Sequence, residues 1–144
     1  MILQRLTIAF FVLFTATVGF AVAASITVPS TNIGESNINQ SPNQFKPPEC
    51  SAINVNGIVT GSGTINGGNQ NNLILGSPQD DIINARQGAD CVLGGDGNDT
   101  LNGGQGNDVL LGGPGDDWLD GGPGADICYG GGGNDTFTRC ETQY

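Results

Sequence analysis

The chain has 144 residues, which is room for one domain, and its 25 glycines argue against an ordinary packed globule. Only 4 residues are basic while 14 are acidic, which gives a net charge of −10 and argues against nucleic acid as a partner. Histidine is absent, which removes the commonest general base and the commonest transition-metal ligand.

Residues 1–24 have the pattern of a secretory signal peptide. Arg5 precedes an apolar stretch at 6–20, and the small residues Ala21 and Ala23 suit a cleavage site. The alternative is an uncleaved anchor, which would be the protein's only contact with a membrane. The stretch is shorter than the roughly 20 residues that a spanning helix needs. We therefore expect cleavage and a secreted, extracellular protein.

Residues 25–50 are rich in Asn, Ser, Gln and Pro. They contain too few apolar side chains to fold alone, so we interpret them as a polar linker or arm. The next segment, 51–66, is a transition in which Ile53, Val55 and the pair Ile58–Val59 suggest a short strand.

A nine-residue repeat occupies residues 67–138 and approximates G-G-x-G-x-D-x-U-x, where U is a large apolar residue. Its eight blocks read GGNQNNLIL, GSPQDDIIN, ARQGADCVL, GGDGNDTLN, GGQGNDVLL, GGPGDDWLD, GGPGADICY and GGGGNDTFT. The preceding nonapeptide 58–66 keeps Ile65 at the U place but has Gly63 in place of the aspartate. We expect 51–66 to form an N-terminal capping turn, and 139–144 to form a C-terminal cap.

Each block is predicted to contain six turn residues followed by a three-residue strand, x-U-x. Because side chains alternate between the two faces of a strand, the U residues should share one face and form the inner core. They are Ile65, Ile74, Ile83, Val92, Leu101, Leu110, Leu119, Cys128 and Phe137.

The ninth place of the blocks alternates between apolar and polar residues, as in Leu75, Asn84, Leu93 and Asn102. The true period is therefore 18 residues, with two blocks in each coil. This predicts an all-β, right-handed parallel β-roll with two sheets. One outer sheet face should be apolar; it comprises Leu73, Leu75, Leu93, Val109, Leu111, Ile127 and Tyr129. That face is either a docking patch for a protein or cell-surface partner or is covered by the arm 25–56.

The turns should form two stacks with one aspartate in each turn. One stack contains Asp81, Asp99, Asp117 and Asp135, and the other contains Asp90, Asp108 and Asp126. Strands stack about 4.8 Å apart, and two carboxylates at that spacing repel by roughly 3 kcal/mol at an effective dielectric constant of about 20. Calcium prefers carboxylate and carbonyl oxygens, which a glycine-rich turn ending in aspartate supplies. We expect about five calcium ions between successive aspartates, and Asn72 would add a weaker site.

The repeats resemble the hemolysin-type calcium-binding repeats of the RTX family, which form a parallel β-roll. The resemblance covers 67–138 and implies that the seven aspartates above are calcium ligands. It also implies that turn glycines contribute main-chain carbonyls. These glycines are Gly94, Gly97, Gly103, Gly106, Gly112, Gly115, Gly121 and Gly124.

Two blocks depart from the family pattern. Ala85 and Arg86 replace the glycine pair of the third block, which predicts weaker ligation by Asp90. Ser77 and Gln79 similarly weaken the second block.

The four cysteines form an even set in a chain predicted to be exported, which favours two disulfides over reduced thiols. Zinc is disfavoured, because the sequence has neither a C-x-x-C pair nor a histidine. Three connectivities are possible. Cys128 lies in the core row and Cys140 just beyond the array, so we favour Cys128–Cys140, which leaves Cys50–Cys91.

The sequence thus predicts a small secreted calcium-binding protein that is not an enzyme and folds on extracellular calcium. Its role would be structural, adhesive or surface-associated. Extracellular calcium modules bind at about 10⁻⁴–10⁻³ M, so such a chain would fold after export. No catalytic residue is assigned. The alternatives are a carbohydrate-active enzyme built on a β-solenoid and an ice-binding protein.

Overall fold

A computed structural model describes residues 41–144. The predicted signal peptide and most of the predicted arm lie outside these residues. Two short 3-10 helices, Pro42–Gln44 and Pro48–Cys50, precede eleven strands in this part of the chain. No helix in it combines the length and the apolar character needed to cross a membrane. The strands are β1 Gly57–Thr60, β2 Thr64–Asn66, β3 Asn72–Leu75, β4 Ile82–Gln87, β5 Cys91–Leu93, β6 Thr100–Gln105, β7 Val109–Pro114, β8 Trp118–Asp120, β9 Ile127–Gly132, β10 Thr136–Thr138 and β11 Thr142–Gln143.

Successive strands alternate between two sheets, and all paired strands are parallel. Sheet A has the order β1-β3-β5-β7-β9-β11, and sheet B has the order β10-β8-β6-β4-β2. In register, Asn84 pairs with Asn102, so one coil contains 18 residues and two nonapeptides. The chain is an all-β parallel β-solenoid of about five turns, which confirms the predicted fold class.

The two ends of the solenoid have shorter coils. At the N-terminal end Val59 pairs with Ile74, and at the C-terminal end Cys128 pairs with Gln143. Both pairs are three residues closer in sequence than the 18-residue coil between them. The shortening brings the flanking segments against the solenoid ends without a complete glycine-rich turn.

The predicted U row forms the inner core between the two sheets. Most of these side chains have no solvent-accessible surface, because each points inward from the centre of a short strand. The row consists of Ile65, Ile74, Ile83, Val92, Leu101, Leu110, Leu119 and Cys128, with Phe137 partly buried at its end. Ala85 and Cys140 belong to the same cluster.

A segment preceding the solenoid covers part of the apolar outer face of sheet A. Ile53 and Val55 are buried and pack there in one cluster with Leu73 and Val109. They lie in the loop between the second 3-10 helix and β1, so the strand suggested by the sequence is limited to Gly57–Thr60. The disulfide Cys50–Cys91 joins this segment to the same face. A second row on the face stays half-buried and comprises Leu75, Leu93, Leu111 and Tyr129.

The last residues cover the opposite end of the solenoid. Strand β11 extends sheet A, and the disulfide Cys128–Cys140 closes the inner core. The ring of Tyr144 stacks on Tyr129 with 4.8 Å between centroids. Both disulfides join the cysteine pairs that the sequence favours.

Candidate metal sites in the turns

Glycine lets each turn lie directly on the turn of the preceding coil. Gly95 has a φ of 121°, a conformation that side-chain-bearing residues rarely adopt. A Cβ atom at Gly95 would lie only 2.0 Å from the carbonyl oxygen of Ser77 one coil earlier. The close stacking therefore depends on glycine, and it brings main-chain carbonyls of neighbouring turns together.

The predicted aspartates form two columns, and one oxygen of each carboxylate links two coils. The Asp99 backbone N–H donates to Asp117 Oδ1 at 2.8 Å, and the Asp90 N–H donates to Asp108 Oδ1 at 2.7 Å. Each pair is 18 residues apart in sequence. Every predicted aspartate accepts such a bond from the preceding coil. Oδ1 is therefore satisfied by the protein itself.

The second oxygen, Oδ2, behaves differently in most of the turns. In residues 41–144, five buried Oδ2 atoms have no hydrogen-bond partner. We call them the inner carboxylate oxygens; they belong to Asp90, Asp99, Asp108, Asp117 and Asp126. Each of these residues is at most 2% exposed. A buried carboxylate without a compensating partner is strongly destabilising, so these atoms require an explanation.

Four of the five inner carboxylate oxygens point toward the first glycine of their own turn, and the fifth, that of Asp90, belongs to a turn whose first residue is Ala85. A Cβ atom at Gly94 would lie 2.2 Å from Asp99 Oδ2 and 2.7 Å from the carbonyl oxygen of Gly112 in the next coil. At Gly103 the corresponding distances are 2.5 Å to Asp108 Oδ2 and 2.7 Å to Gly121 O. A carboxylate oxygen and a carbonyl oxygen thus converge on a small space that any side chain would fill. Such hard oxygen donors fit calcium.

Burial changes the acidity of these carboxyl groups. Desolvation raises the pKa of Asp108 to about 7 and that of Asp90 and Asp99 to about 6, although a backbone hydrogen bond partly offsets it in each. The pKa values of Asp117 and Asp126 are also raised, mainly by burial. Neighbouring acidic groups add to the rise at all of these except Asp90. Near neutral pH each ionised carboxylate therefore favours a proton or a cation beside it.

The first turns of the array satisfy their side chains with protein donors. Asp81 Oδ2 accepts hydrogen bonds from the Ser77 backbone N–H at 2.6 Å and from the Ser77 hydroxyl at 2.9 Å. Asn72 Oδ1 accepts the Gly68 N–H at 3.0 Å. The third block, which contains Asp90, begins with Ala85 instead of glycine, and the side chain of Ala85 is fully buried in the core. Ser77 therefore occupies the free oxygen of Asp81, and Ala85 places a methyl group where the other turns have glycine.

The structure brings carboxylates together in columns but does not gather them into a cluster. In the described part of the chain, no group of three or more Cys, Asp or Glu side chains is close enough to hold a metal ion. The reason is geometric, since each turn supplies one inward carboxylate oxygen and the other nearby oxygens are main-chain carbonyls. The carbonyls next to the inner carboxylate oxygens of Asp99 and Asp108 are those of Gly112 and Gly121.

A second ladder along the turns was not predicted from the sequence. The fifth residue of a block accepts a backbone N–H from the following coil: Asp80 Oδ1 from Asn98, and Asn98 Oδ1 from Asp116, each at 2.8 Å. Asn107 accepts from Ala125 in the same way at 3.0 Å. The available signal was an Asn or Asp at the fifth place of six of the eight blocks. These exposed side chains thus form hydrogen bonds between successive coils on the outer surface of the turns.

Comparison with protein families agrees with this geometry. The model for the RTX calcium-binding nonapeptide repeat matches in four copies, at residues 59–92, 66–101, 92–119 and 102–137. Comparison with curated proteins and with solved structures gave no match. Together the matched segments span residues 59–137 and contain every aspartate of both columns.

Proposed function

The chain belongs to the RTX calcium-binding nonapeptide repeat family, and we propose that it is a secreted, non-enzymatic protein whose solenoid folds when it binds extracellular calcium. Calcium binding is the property of the repeat itself. Secretion, the absence of catalysis and the biological role are the parts that we propose.

The observation that carries the proposal is the set of inner carboxylate oxygens. They are buried and lie in two columns, and those of Asp99, Asp108, Asp117 and Asp126 face the first glycine of their own turn. Successive aspartates repel each other, by roughly 3 kcal/mol for ionised groups about 4.8 Å apart at an effective dielectric constant of about 20. A calcium ion would supply the missing positive charge and accept electron density from both oxygen types.

The residues that would hold the ions follow from this arrangement. Asp99 Oδ2 with Gly112 O, and Asp108 Oδ2 with Gly121 O, are representative pairs. Five inner carboxylate oxygens support a content of about five ions. We expect the ion at Asp90 to bind more weakly, because Ala85 brings a methyl group to the place that glycine leaves open.

The disulfides support an extracellular location. Disulfide bonds persist in oxidising compartments and are rare in the cytosol. Cys50–Cys91 attaches the covering segment to the outer face of sheet A, and Cys128–Cys140 closes the C-terminal end of the inner core. N-terminal sequencing of protein recovered from the culture medium tests secretion. A start near residue 25 is expected, whereas an intact Met1 in a membrane fraction would contradict it.

A structural or surface-associated role is the one that we favour over catalysis. The buried carboxylates face the interior of the turns rather than a cleft, and no histidine is available as a general base. The half-buried row of sheet A is the part of the apolar face left for a protein or cell-surface partner. Replacing Leu111 with Lys should abolish such an attachment to the producing cell while leaving calcium binding unchanged.

Isothermal titration calorimetry on the exported chain with intact disulfides tests calcium binding directly. After removal of metal with EDTA, we expect about five calcium ions to bind with dissociation constants of about 10⁻⁴–10⁻³ M. Magnesium should bind much more weakly, because it requires a smaller, regular shell and gives up water reluctantly. No heat at millimolar calcium would contradict the proposal.

A further inference from the structure

The last aspartate of one column is followed by a glutamate instead of another repeat. The Asp126 backbone N–H donates to Glu141 Oε2 at 2.7 Å, across 15 residues. In the coil before it, the Asp108 N–H donates to Asp126 Oδ1 at 2.7 Å, across 18 residues. Glu141 therefore occupies the place of the next aspartate, and its longer side chain reaches that place from a shortened coil.

Arg139 supplies the carbonyl of the same incomplete turn. A Cβ atom at Gly121 would lie 2.3 Å from Arg139 O and 2.7 Å from Asp126 Oδ2. At Gly103 the equivalent atoms are Gly121 O and Asp108 Oδ2. The end of the column thus repeats the oxygen pair found at Gly103, although the segment that supplies the carbonyl, residues 139–141, is not a glycine-rich block.

The Asp126 side chain points into this space. Asp126 has no solvent-accessible surface, and its Oδ2 is one of the inner carboxylate oxygens. No hydrogen-bond donor satisfies this atom anywhere in residues 41–144. The atom is aimed at the same point as the carbonyl of Arg139, which is where a cation would relieve its burial.

Two anchors hold the segment that carries these groups. On one side of the chain, the Arg139 guanidinium forms a two-pronged ion pair with Asp120, with 2.8 Å between Nε and Oδ1. On the other side, Cys140 is joined to Cys128 in the core row. Arg139 has a φ of 49°, so the chain leaves the regular coil at this residue. The anchors keep the carbonyl and the glutamate at the end of the column.

We propose that Asp126 Oδ2, the main-chain carbonyl of Arg139 and the carboxylate of Glu141 form a terminal calcium site. Glu141 serves as the carboxylate ligand that a repeat aspartate would supply, although it lies outside every repeat. The inference rests on the proposed calcium binding and adds a ligand that the nonapeptide pattern does not contain. Of the five ions proposed from the inner carboxylate oxygens, this site holds the one that lies beyond the last repeat aspartate of its column.

The test compares calcium titrations of the unaltered chain with those of Glu141→Gln. Glutamine keeps an oxygen that can accept the Asp126 N–H, so the fold in calcium should remain, but the negative charge is lost. We expect one fewer ion per chain, or one site weakened at least about 10-fold, since ligand charge tunes calcium affinity. The matched control is Glu49→Gln, an exposed acid outside the array, which should leave all sites unchanged.

The outcomes separate the two proposals. If the unaltered chain binds no calcium, the proposed function fails. If it binds calcium and Glu141→Gln binds the same number with the same affinities, only the terminal site is overturned. A crystal structure of the unaltered chain grown with millimolar calcium chloride gives a second readout that needs no variant. An ion between Asp126 and Arg139 O supports the inference, and ions in the inner turns with none there overturn it.

Discussion

The first turns and the later turns of the solenoid share one repeat but satisfy their carboxylates in different ways. Asp81 Oδ2 has two donors from Ser77, whereas Asp99 Oδ2, one coil further on, has none within residues 41–144. The difference arises at the second place of the block, which is Ser77 in the first case and Gly95 in the second. The hydroxyl and the backbone N–H of Ser77 therefore satisfy the buried oxygen of Asp81, whereas we expect a cation to satisfy that of Asp99.

This contrast predicts a gradient of calcium dependence along the molecule. The first coils also have a covering segment, in which Ile53 and Val55 pack on sheet A and Cys50 is bonded to Cys91. In solenoids each repeat contacts only its neighbours, so stability can differ from coil to coil. We expect the N-terminal coils to keep structure without calcium and the later coils to lose it.

The largest effect should come from the disulfide that holds the covering segment. Cys50 and Cys91 are 41 residues apart, so their replacement by serine should lower the free energy of unfolding by about 4 kcal/mol in the chain-entropy model. Replacing Cys128 and Cys140, which are 12 apart, should cost about 3 kcal/mol by the same model. Urea unfolding in excess calcium measures both. A larger loss of unfolding free energy on removing Cys128–Cys140 than on removing Cys50–Cys91 would contradict this expectation.

Asp99→Asn should lower the stability of the fold in calcium and raise it without calcium. Asparagine keeps the acceptor for the Asp81 N–H but removes the buried charge. In about 10 mM calcium the loss of one site should cost about 1.4–2.7 kcal/mol, given dissociation constants of about 10⁻⁴–10⁻³ M. In EDTA the variant should be more stable than the unaltered chain. Thermal melts in both buffers measure this.

The control for that substitution is Asp96→Asn, an exposed acid in the same turn. It should change neither melt appreciably. If Asp99→Asn destabilises the chain equally in both buffers, the carboxylate serves the fold itself rather than a cation.

The pH dependence of stability should reverse when calcium is added. Without metal, the raised pKa values of Asp108, about 7, and Asp99, about 6, mean that folding favours the protonated groups. Their stabilising effect is complete below the unfolded value of about 4 and is lost as the pH rises toward 7. With calcium the ligands must be ionised, so apparent affinity should fall as the pH drops from 7.5 to 5.5. Melting temperatures that follow pH in the same direction in both buffers would refute this.

The smallest effect should come from Ser77→Gly, which makes the second block resemble the later ones. The change removes the hydroxyl that donates to Asp81 Oδ2 and gives the second block its missing glycine. We expect calcium affinity at this turn to rise by a few fold and the metal-free stability of the first coils to fall slightly. Calorimetry resolves the first effect and melts in EDTA the second. Unchanged affinity would show that the hydroxyl does not compete with the ion.

Much of the fold could be predicted because the repeat encodes it locally. The U row, the 18-residue coil and the alternation between sheets follow from the eighth and ninth places of the blocks, and the family match confirms the repeat. The pairing of Cys128 with Cys140 was also accessible, since both lie at the end of the core row. These features depend on residues within one or two blocks of each other.

The parts that the sequence could not predict depend on contacts outside the repeat. The sequence offered coverage of the apolar face by the arm 25–56 as one of two alternatives, but that Ile53 and Val55 are the residues packed there depends on the path of a segment that has no periodicity. The role of Glu141 depends on a coil shortened by three residues, so its register does not match that of the aspartates. Asp81 Oδ2 is satisfied by the backbone N–H and the hydroxyl of Ser77, a residue that stands where the repeat has glycine. In each case the deciding contact is made by a residue that breaks the pattern.

Hydrogen–deuterium exchange measured with and without calcium shows directly whether the later coils depend on cations more than the first coils do. The reporters are the interstrand amides of β3 and β4 in the first coils and those of β7 and β9 in the later coils. If the inner carboxylate oxygens require cations, removing calcium should raise the amide exchange rates of β7 and β9 by orders of magnitude more than those of β3 and β4. Equal protection of all four strands in calcium and in EDTA would contradict the account.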